Sequence, residues 1–174
     1  IIFSYIMHNC CCKLSFSIVK KEATNDMPTT IEVNKQSVEA LLGSGKSKPF
    51  VIPEYQRPYA WTDEQVETLF EDLWEFTATS GGTEREGSYF LGSIVSYVNE
   101  DGEQEIIDGQ QRLTTLFLII EAIKNTNNSE QEKIVIDENK KELCIGNCTI
   151  RYKNNIKSDK FQENYKYICI LLKK

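Results

Sequence analysis

The chain lacks long hydrophobic runs: no stretch of its 174 residues reaches the about 18 uninterrupted apolar positions that a membrane-spanning helix needs. It also lacks a surplus of positive charge. Its 20 Lys and Arg face 26 Asp and Glu, a net of −6, which excludes a small, generally basic DNA-coating protein. Internal repeats are missing, and the only low-complexity stretch is one Asn-rich loop. With 40% hydrophobic and 10% aromatic residues, collagen-like, mucin-like and fully disordered chains are excluded. A spaced cysteine framework is missing too: Cys10, Cys11 and Cys12 are adjacent, which matches neither a zinc spacing nor a disulfide pattern.

The charge that is present is unevenly spread. Residues 27–123 carry 17 acidic and 6 basic side chains, and residues 124–174 carry 7 and 11. A bound polyanion would meet the basic tail or a few placed arginines. The first 19 residues are apolar but broken by Ser4, His8, Asn9, Lys13, Ser15 and Ser17, without the n-region or cleavage site of a signal peptide. Residues 1–26 are therefore expected to be a disordered or non-native leader. Residues 27–123 read as the domain core and 124–174 as a basic hairpin-and-helix extension. Without an export signal, the expected location is cytoplasmic.

Asn34 is expected to cap a short helix over KQSVEALL that stops at Gly43. The Gly45-Lys46-Ser47 that follows is no phosphate loop. Ala40 stands where that motif needs its first glycine, and the strand-then-helix order is reversed. FVIP reads as a strand. Thr62 and Gln65 form a capping box for TDEQVETLFEDLWEF, whose Val66, Leu69, Phe70, Leu73, Trp74 and Phe76 make one core-facing side; Gly81-Gly82 then opens a flexible loop. YFLGSIVSYV and QEIID, joined by Asn99–Gly102, predict a hairpin. A central helix follows over GQQRLTTLFLIIEAIK, burying Leu113, Leu116, Phe117, Ile120 and Ile123. KIVID, ELCI and CTIRYK supply up to three further strands. Gly146-Asn147 turns the last two into a hairpin in which Cys144 faces Thr149 and Ile145 faces Cys148, putting the two thiols on opposite faces. DKFQENYKYICILL closes the chain as a helix capped by Ser158 or Asp159. This mixture predicts an α+β domain.

Two segments carry chemistry. Asp108-Gly109-Gln110-Gln111-Arg112 stands where a strand ends and a buried helix begins. The first amides of a helix have no internal partner, so an anion such as phosphate is their natural ligand. Gly109 removes a Cβ from the approach, Arg112 can offer a bidentate guanidinium, and Asp108 can coordinate Mg2+ or orient a water that Gln110 or Gln111 positions. The plainer alternative makes Asp108 a helix cap and Arg112 a surface ion-pair former. The second segment, IPEYQRPYAW, is stiffened by two prolines. Its Tyr55, Gln56 and Arg57 form a polar face suited to a nucleotide or DNA backbone, while Tyr59 and Trp61 read as core.

IPEYQRPYAW, YFLGSIV and IIDGQQRLTTL, in this order and spacing, resemble the DGQQR family, the ParB-like N-terminal domain of GmrSD-type (type IV, modification-dependent) restriction endonucleases. The likeness covers residues 37–123, with a looser D-x-F echo at Asp159 and Phe161. It implies a ParB/sulfiredoxin-like α+β core, a small mixed sheet with packed helices. It also implies binding and hydrolysis of GTP or ATP with Mg2+, coupled to recognition of modified phage DNA. By this resemblance Asp108, Gln110, Gln111 and Arg112 are the catalytic residues, and Asp108 is the Mg2+ ligand. By the same resemblance Gly109, Arg112, Arg57, Gln56 and Tyr55 bind the nucleotide, the last three lying near it or sensing DNA. Relatives continue into a helical region and an HNH-type nuclease domain. With one histidine, His8, and no H-N-H pattern, this chain is expected to be a truncated member that gates a nuclease domain or partner held elsewhere.

Three readings follow. The first is an NTP-hydrolysing sensor, and the alternative is a non-catalytic module that holds a nucleotide or DNA backbone. The third, an antitoxin-like partner whose acidic core mimics nucleic acid, accounts for neither motif. No membrane partner is expected.

Overall fold

The computed structural model describes residues 14–22, 31–43, 49–79, 89–125, 141–145, 148–154 and 158–173. The adjacent cysteines, Gly45–Ser47, Gly81-Gly82, KIVID and the Gly146-Asn147 turn lie outside the described residues. Seven strands form one mixed sheet: β1 (Leu14–Glu22), β2 (Ile31–Ser37), β3 (Phe50–Ile52), β4 (Tyr89–Val98), β5 (Gln104–Asp108), β6 (Glu142–Ile145) and β7 (Cys148–Tyr152), in the order β2-β1-β4-β5-β3-β7-β6. The helices are α1 (Val38–Gly43), α2 (Asp63–Thr79), α3 (Gln110–Asn125) and α4 (Ser158–Leu171). The fold is α+β.

β4 and β5 pair antiparallel through a turn whose chemistry is local. Gly102, at φ +69°, donates its N–H to Asn99 O at 2.9 Å, and Glu103 N–H donates to Asn99 Oδ1 at 2.8 Å. The β6–β7 hairpin has the register read from the sequence, Cys144 opposite Thr149 and Ile145 opposite Cys148. Thr149 Oγ1 donates to the exposed Cys144 Sγ at 3.4 Å. Residues 124–174, read as an extension, supply β6, β7 and α4 to the common sheet and core: Ile150, Phe161, Tyr165 and Ile168 are buried with Phe50, Ile52, Ile94 and Ile106 of the other strands.

α3 is the hub. Leu113, Leu116, Phe117, Ile120 and Ile123 are buried as expected, and α3 packs against α4. Each such side chain withdrawn from water contributes about 1.5–3 kcal/mol. On α2, Gln65 Oε1 accepts Thr62 N–H at 3.0 Å, half of the capping box. Val66, Leu69 and Leu73 are buried.

Three expectations need correction. Asn34 lies within β2, and the cap of α1 is Ser37, whose Oγ accepts Ala40 N–H at 3.0 Å. Trp74 is 43% exposed and stacks on Phe70 at 6.3 Å, because one residue beyond Leu73 it is rotated about 100° off the buried stripe. Residues 14–22, read as part of a leader, form a strand between β2 and β4. The serines that interrupt the apolar run alternate with Leu14, Phe16 and Ile18, a period of two that spoils a signal peptide and suits a strand.

Candidate functional site

Sheet order positions the site. β5, β3 and β7 are parallel neighbours, so their C-terminal ends emerge at one edge. This is the edge where ligands collect in sheets with parallel strands. β5 delivers Asp108 and Gly109 into α3, β3 delivers the Pro53–Thr62 loop, and β7 is followed by Asn154. β4 begins at the same edge, being antiparallel to β5.

The two segments singled out in the sequence meet there. Gln56 and Arg57 from the loop, and Asp108, Gly109, Gln110, Gln111 and Arg112 from the turn, line one pocket of about 200 Å3 with Trp61. Tyr55 does not line it; it is 69% exposed. Trp61 is half-buried at the pocket, whereas Tyr59 is core as expected.

The glutamines hold the loop. Gln111 Nε2 donates to Pro58 O at 3.1 Å while its Oε1 accepts Ala60 N–H at 2.9 Å, so both ends of its amide are occupied. Gln110 Nε2 donates to Gln56 Oε1 at 3.0 Å and to Arg57 O at 3.1 Å. Gln56 Nε2 in turn donates to Ile107 O at 2.7 Å, tying the loop to the end of β5. Sequence reasoning missed two further anchors. Asn154 Nδ2 donates to Gln56 O and Arg57 O at 3.1 and 3.2 Å, and Asn164 Nδ2 donates to Tyr59 Oη and Trp61 O, both at 2.9 Å. Both lie on segments far along the chain, with no local pattern to betray them.

Gly109 has φ +90°, and a Cβ there would lie 2.8 Å from Ser93 O and 3.2 Å from Ile94 Cα. Glycine is required by its own backbone and by the closeness of β4, a different reason from the open ligand approach expected. Gly109 O accepts Leu113 N–H at 3.0 Å, so Gly109 rather than Asp108 is the N-cap residue. With no side chain to cap the helix, the N–H groups of Gln110, Gln111 and Arg112 have no hydrogen-bond partner among the described residues.

Arg112 reaches back over β4. Its register against β1 slips at Leu91, a bulge, and Gly92 follows at φ +113°. A Cβ at Gly92 would coincide with the Arg112 guanidinium. Nothing in the sequence announces that role for a glycine inside a strand pattern, beyond the glycine itself. Neither Arg57 nor Arg112 has a carboxylate partner among the described residues. The exposed side chain of Asp108 has no described hydrogen bond either. No group of three or more metal-ligating side chains occurs among the described residues, so a cation here would be held by Asp108 together with its ligand. That fits Mg2+, which is commonly bound by one or two carboxylates plus phosphate oxygens.

Fold and site together define a mixed-sheet α+β domain with one polar pocket built from a Pro-rich loop and a strand-to-helix turn. The family model "GmrSD restriction endonuclease, N-terminal domain" matches residues 38–174. The chain belongs to that family, and its role is in a restriction system. No curated protein and no solved structure matches the chain. No helix among the described residues is long and apolar enough to cross a membrane.

Proposed function

We propose that this domain binds the phosphates of a nucleoside triphosphate, GTP or ATP, in the pocket at the DGQQR turn, and that hydrolysis there gates a nuclease domain or partner acting on modified DNA. The supporting observation is convergence: Arg57, Arg112 and the three residues whose amides open α3 line one small pocket, and both guanidiniums lack described carboxylate partners. Arg57 and Arg112 offset charge that grows on the phosphate oxygens during cleavage. Asp108 is the residue that would hold Mg2+, which would supply neutralisation of the same charge. Gln110 Oε1 has no hydrogen-bond partner among the described residues, so it can orient a water. Gln111, spent on the loop backbone, keeps Arg57 in place.

One observation favours the second reading, a binding module without turnover. One of the two glutamines expected to align water is fully engaged elsewhere. Calorimetric titration with GTP and ATP, with and without Mg2+, beside a phosphate-release assay, separates the two. Micromolar binding that Arg112→Ala weakens at least about tenfold, with turnover that Asp108→Ala abolishes while binding survives, is the expected result. Binding without turnover in any variant establishes the module. No binding by the folded protein refutes the enzyme and the nucleotide-binding module alike.

A further inference from the structure

A second cavity, of about 440 Å3, opens beside the phosphate pocket, with Trp61 and Arg112 forming part of both walls. Its lining is of another kind. Trp61, Tyr89 and Phe90 bring aromatic surface, Phe90 being 52% exposed, and Asp72 is the one acidic residue among those that line it. Tyr89 Oη donates to Asp72 Oδ2 at 3.0 Å, which fixes the carboxylate and leaves its other lone pairs free. Gln65 also lines the cavity. Its Oε1 is occupied by Thr62 N–H, and its Nε2 is a donor without a described partner.

Charge and shape select the occupant. A carboxylate repels phosphate, so the phosphate chain stays in the smaller pocket beside the two arginines. Aromatic side chains stack on the π-face of a base, and the cavity volume falls in the range of about 300–1,000 Å3 typical of small-molecule sites. Among the common bases, guanine alone presents two adjacent donors on one edge, N1–H and N2–H2, beside the acceptor O6. Adenine and cytosine place an acceptor beside their amino group, and uracil has a single N–H between two carbonyls. A fixed carboxylate complements the paired donors of guanine.

We infer that this cavity receives the base of the nucleotide whose phosphates occupy the DGQQR pocket, with Trp61 and Arg112 between the two subsites and Asp72 selecting guanine. The inference rests on the proposed function, and the test separates the two. The full chain is titrated with inorganic tripolyphosphate, GTP and ATP, as wild type, Asp72→Asn and Tyr89→Phe. Tripolyphosphate binding that Arg112→Ala weakens reports the phosphate pocket alone. The expected result is GTP bound about tenfold more tightly than ATP, the scale of one hydrogen-bonded charge. That ratio should collapse to within about twofold in Asp72→Asn, with tripolyphosphate affinity unchanged. Tyr89→Phe, which keeps the carboxylate and frees it to turn, should lower the ratio by less. Equal affinity for GTP and ATP, or a ratio that survives both substitutions while tripolyphosphate still binds, overturns the guanine subsite and leaves the phosphate site standing. Failure of tripolyphosphate to bind overturns both. A guanine-containing single strand whose binding Asp72→Asn abolishes, with GTP affinity untouched, would assign the cavity to a nucleic-acid base and overturn the inference as well.

Discussion

Alanine at Gly92 and alanine at Gly109 look like the same substitution in the sequence, and the structure separates their consequences. Both glycines have positive φ, +113° and +90°, so each alanine carries backbone strain of about 1–3 kcal/mol. At Gly109 the new Cβ also meets Ser93 O at 2.8 Å and Ile94 Cα at 3.2 Å. Backbone in the middle of a sheet cannot step aside, and overpacking of this kind adds about 1–3 kcal/mol. Gly109→Ala should therefore cost about 2–6 kcal/mol in total, a large share of the stability of an ordinary domain. At Gly92 the obstacle is the far end of the Arg112 side chain, which can swing away at little steric cost. Gly92→Ala should lose only the strain and fold, but with its guanidinium displaced from the pocket. Urea unfolding, read as a change in midpoint at constant slope, measures the first quantity. Tripolyphosphate titration measures the second. Gly92→Ala should weaken binding as much as Arg112→Ala does, and the double variant should be no weaker than either, the signature of two changes acting through one group. Equal stability losses at the two positions, with anion affinity intact in Gly92→Ala, would refute the account of how Arg112 is held.

Two further outcomes follow from side-chain networks. Thr115 Oγ1 donates to Gln111 O at 3.0 Å, so the buried Tyr59 hydroxyl, 2.8 Å from Thr115 Oγ1, is the donor in that pair and the acceptor from Asn164. Tyr59→Phe should cost about 1–2 kcal/mol in denaturant unfolding, since Thr115 and Asn164 each keep one other partner; no loss would show that the chain of bonds is idle. Burial works to raise the Glu103 carboxyl, but hydrogen bonds from Asn99 and Lys153 and the charges of Lys153 and Arg151 outweigh it and hold the group below its ordinary value of 4.5. A lowered folded value means stability present above the usual carboxylate range and lost as pH falls through the lowered one. The loss should stay below about 1 kcal/mol because Arg151 and Lys153 are more than a third exposed. Glu103→Gln should flatten that part of an acid unfolding profile.

Local chemistry was the legible part of the sequence. The Asn99–Gly102 turn, the capping box of α2, the buried face of α3 and the register of the cysteine-bearing hairpin all depend on residues a few positions apart. So does the proximity of Asp108 to Arg112. What escaped depends on elements distant along the chain. β1 gains its place only from partners on both sides, and Trp74 is decided by which face of α2 meets the core. The meeting of the loop with the turn was anticipated only through resemblance, since composition cannot show that β3 and β5 are parallel neighbours. The part played by Gln111 was hidden for the same reason: its two partners, Pro58 and Ala60, lie more than fifty residues upstream.

The anchoring of the Pro53–Thr62 loop has a consequence for how the protein comes into being. Its backbone is held by Asn154 across 98 positions of sequence and by Asn164 across 103, and the Tyr59 ring it carries packs on Phe161 at 4.8 Å. Contacts of such span close late, because the entropy of the intervening chain must be surrendered before they yield anything in return. On the ribosome, the arginine-bearing loop therefore has only Ile107 and the two glutamines of α3 to fasten it until Asn154 and then α4 have emerged and docked. A nascent chain would carry every residue of the pocket long before it had all of the pocket's anchors.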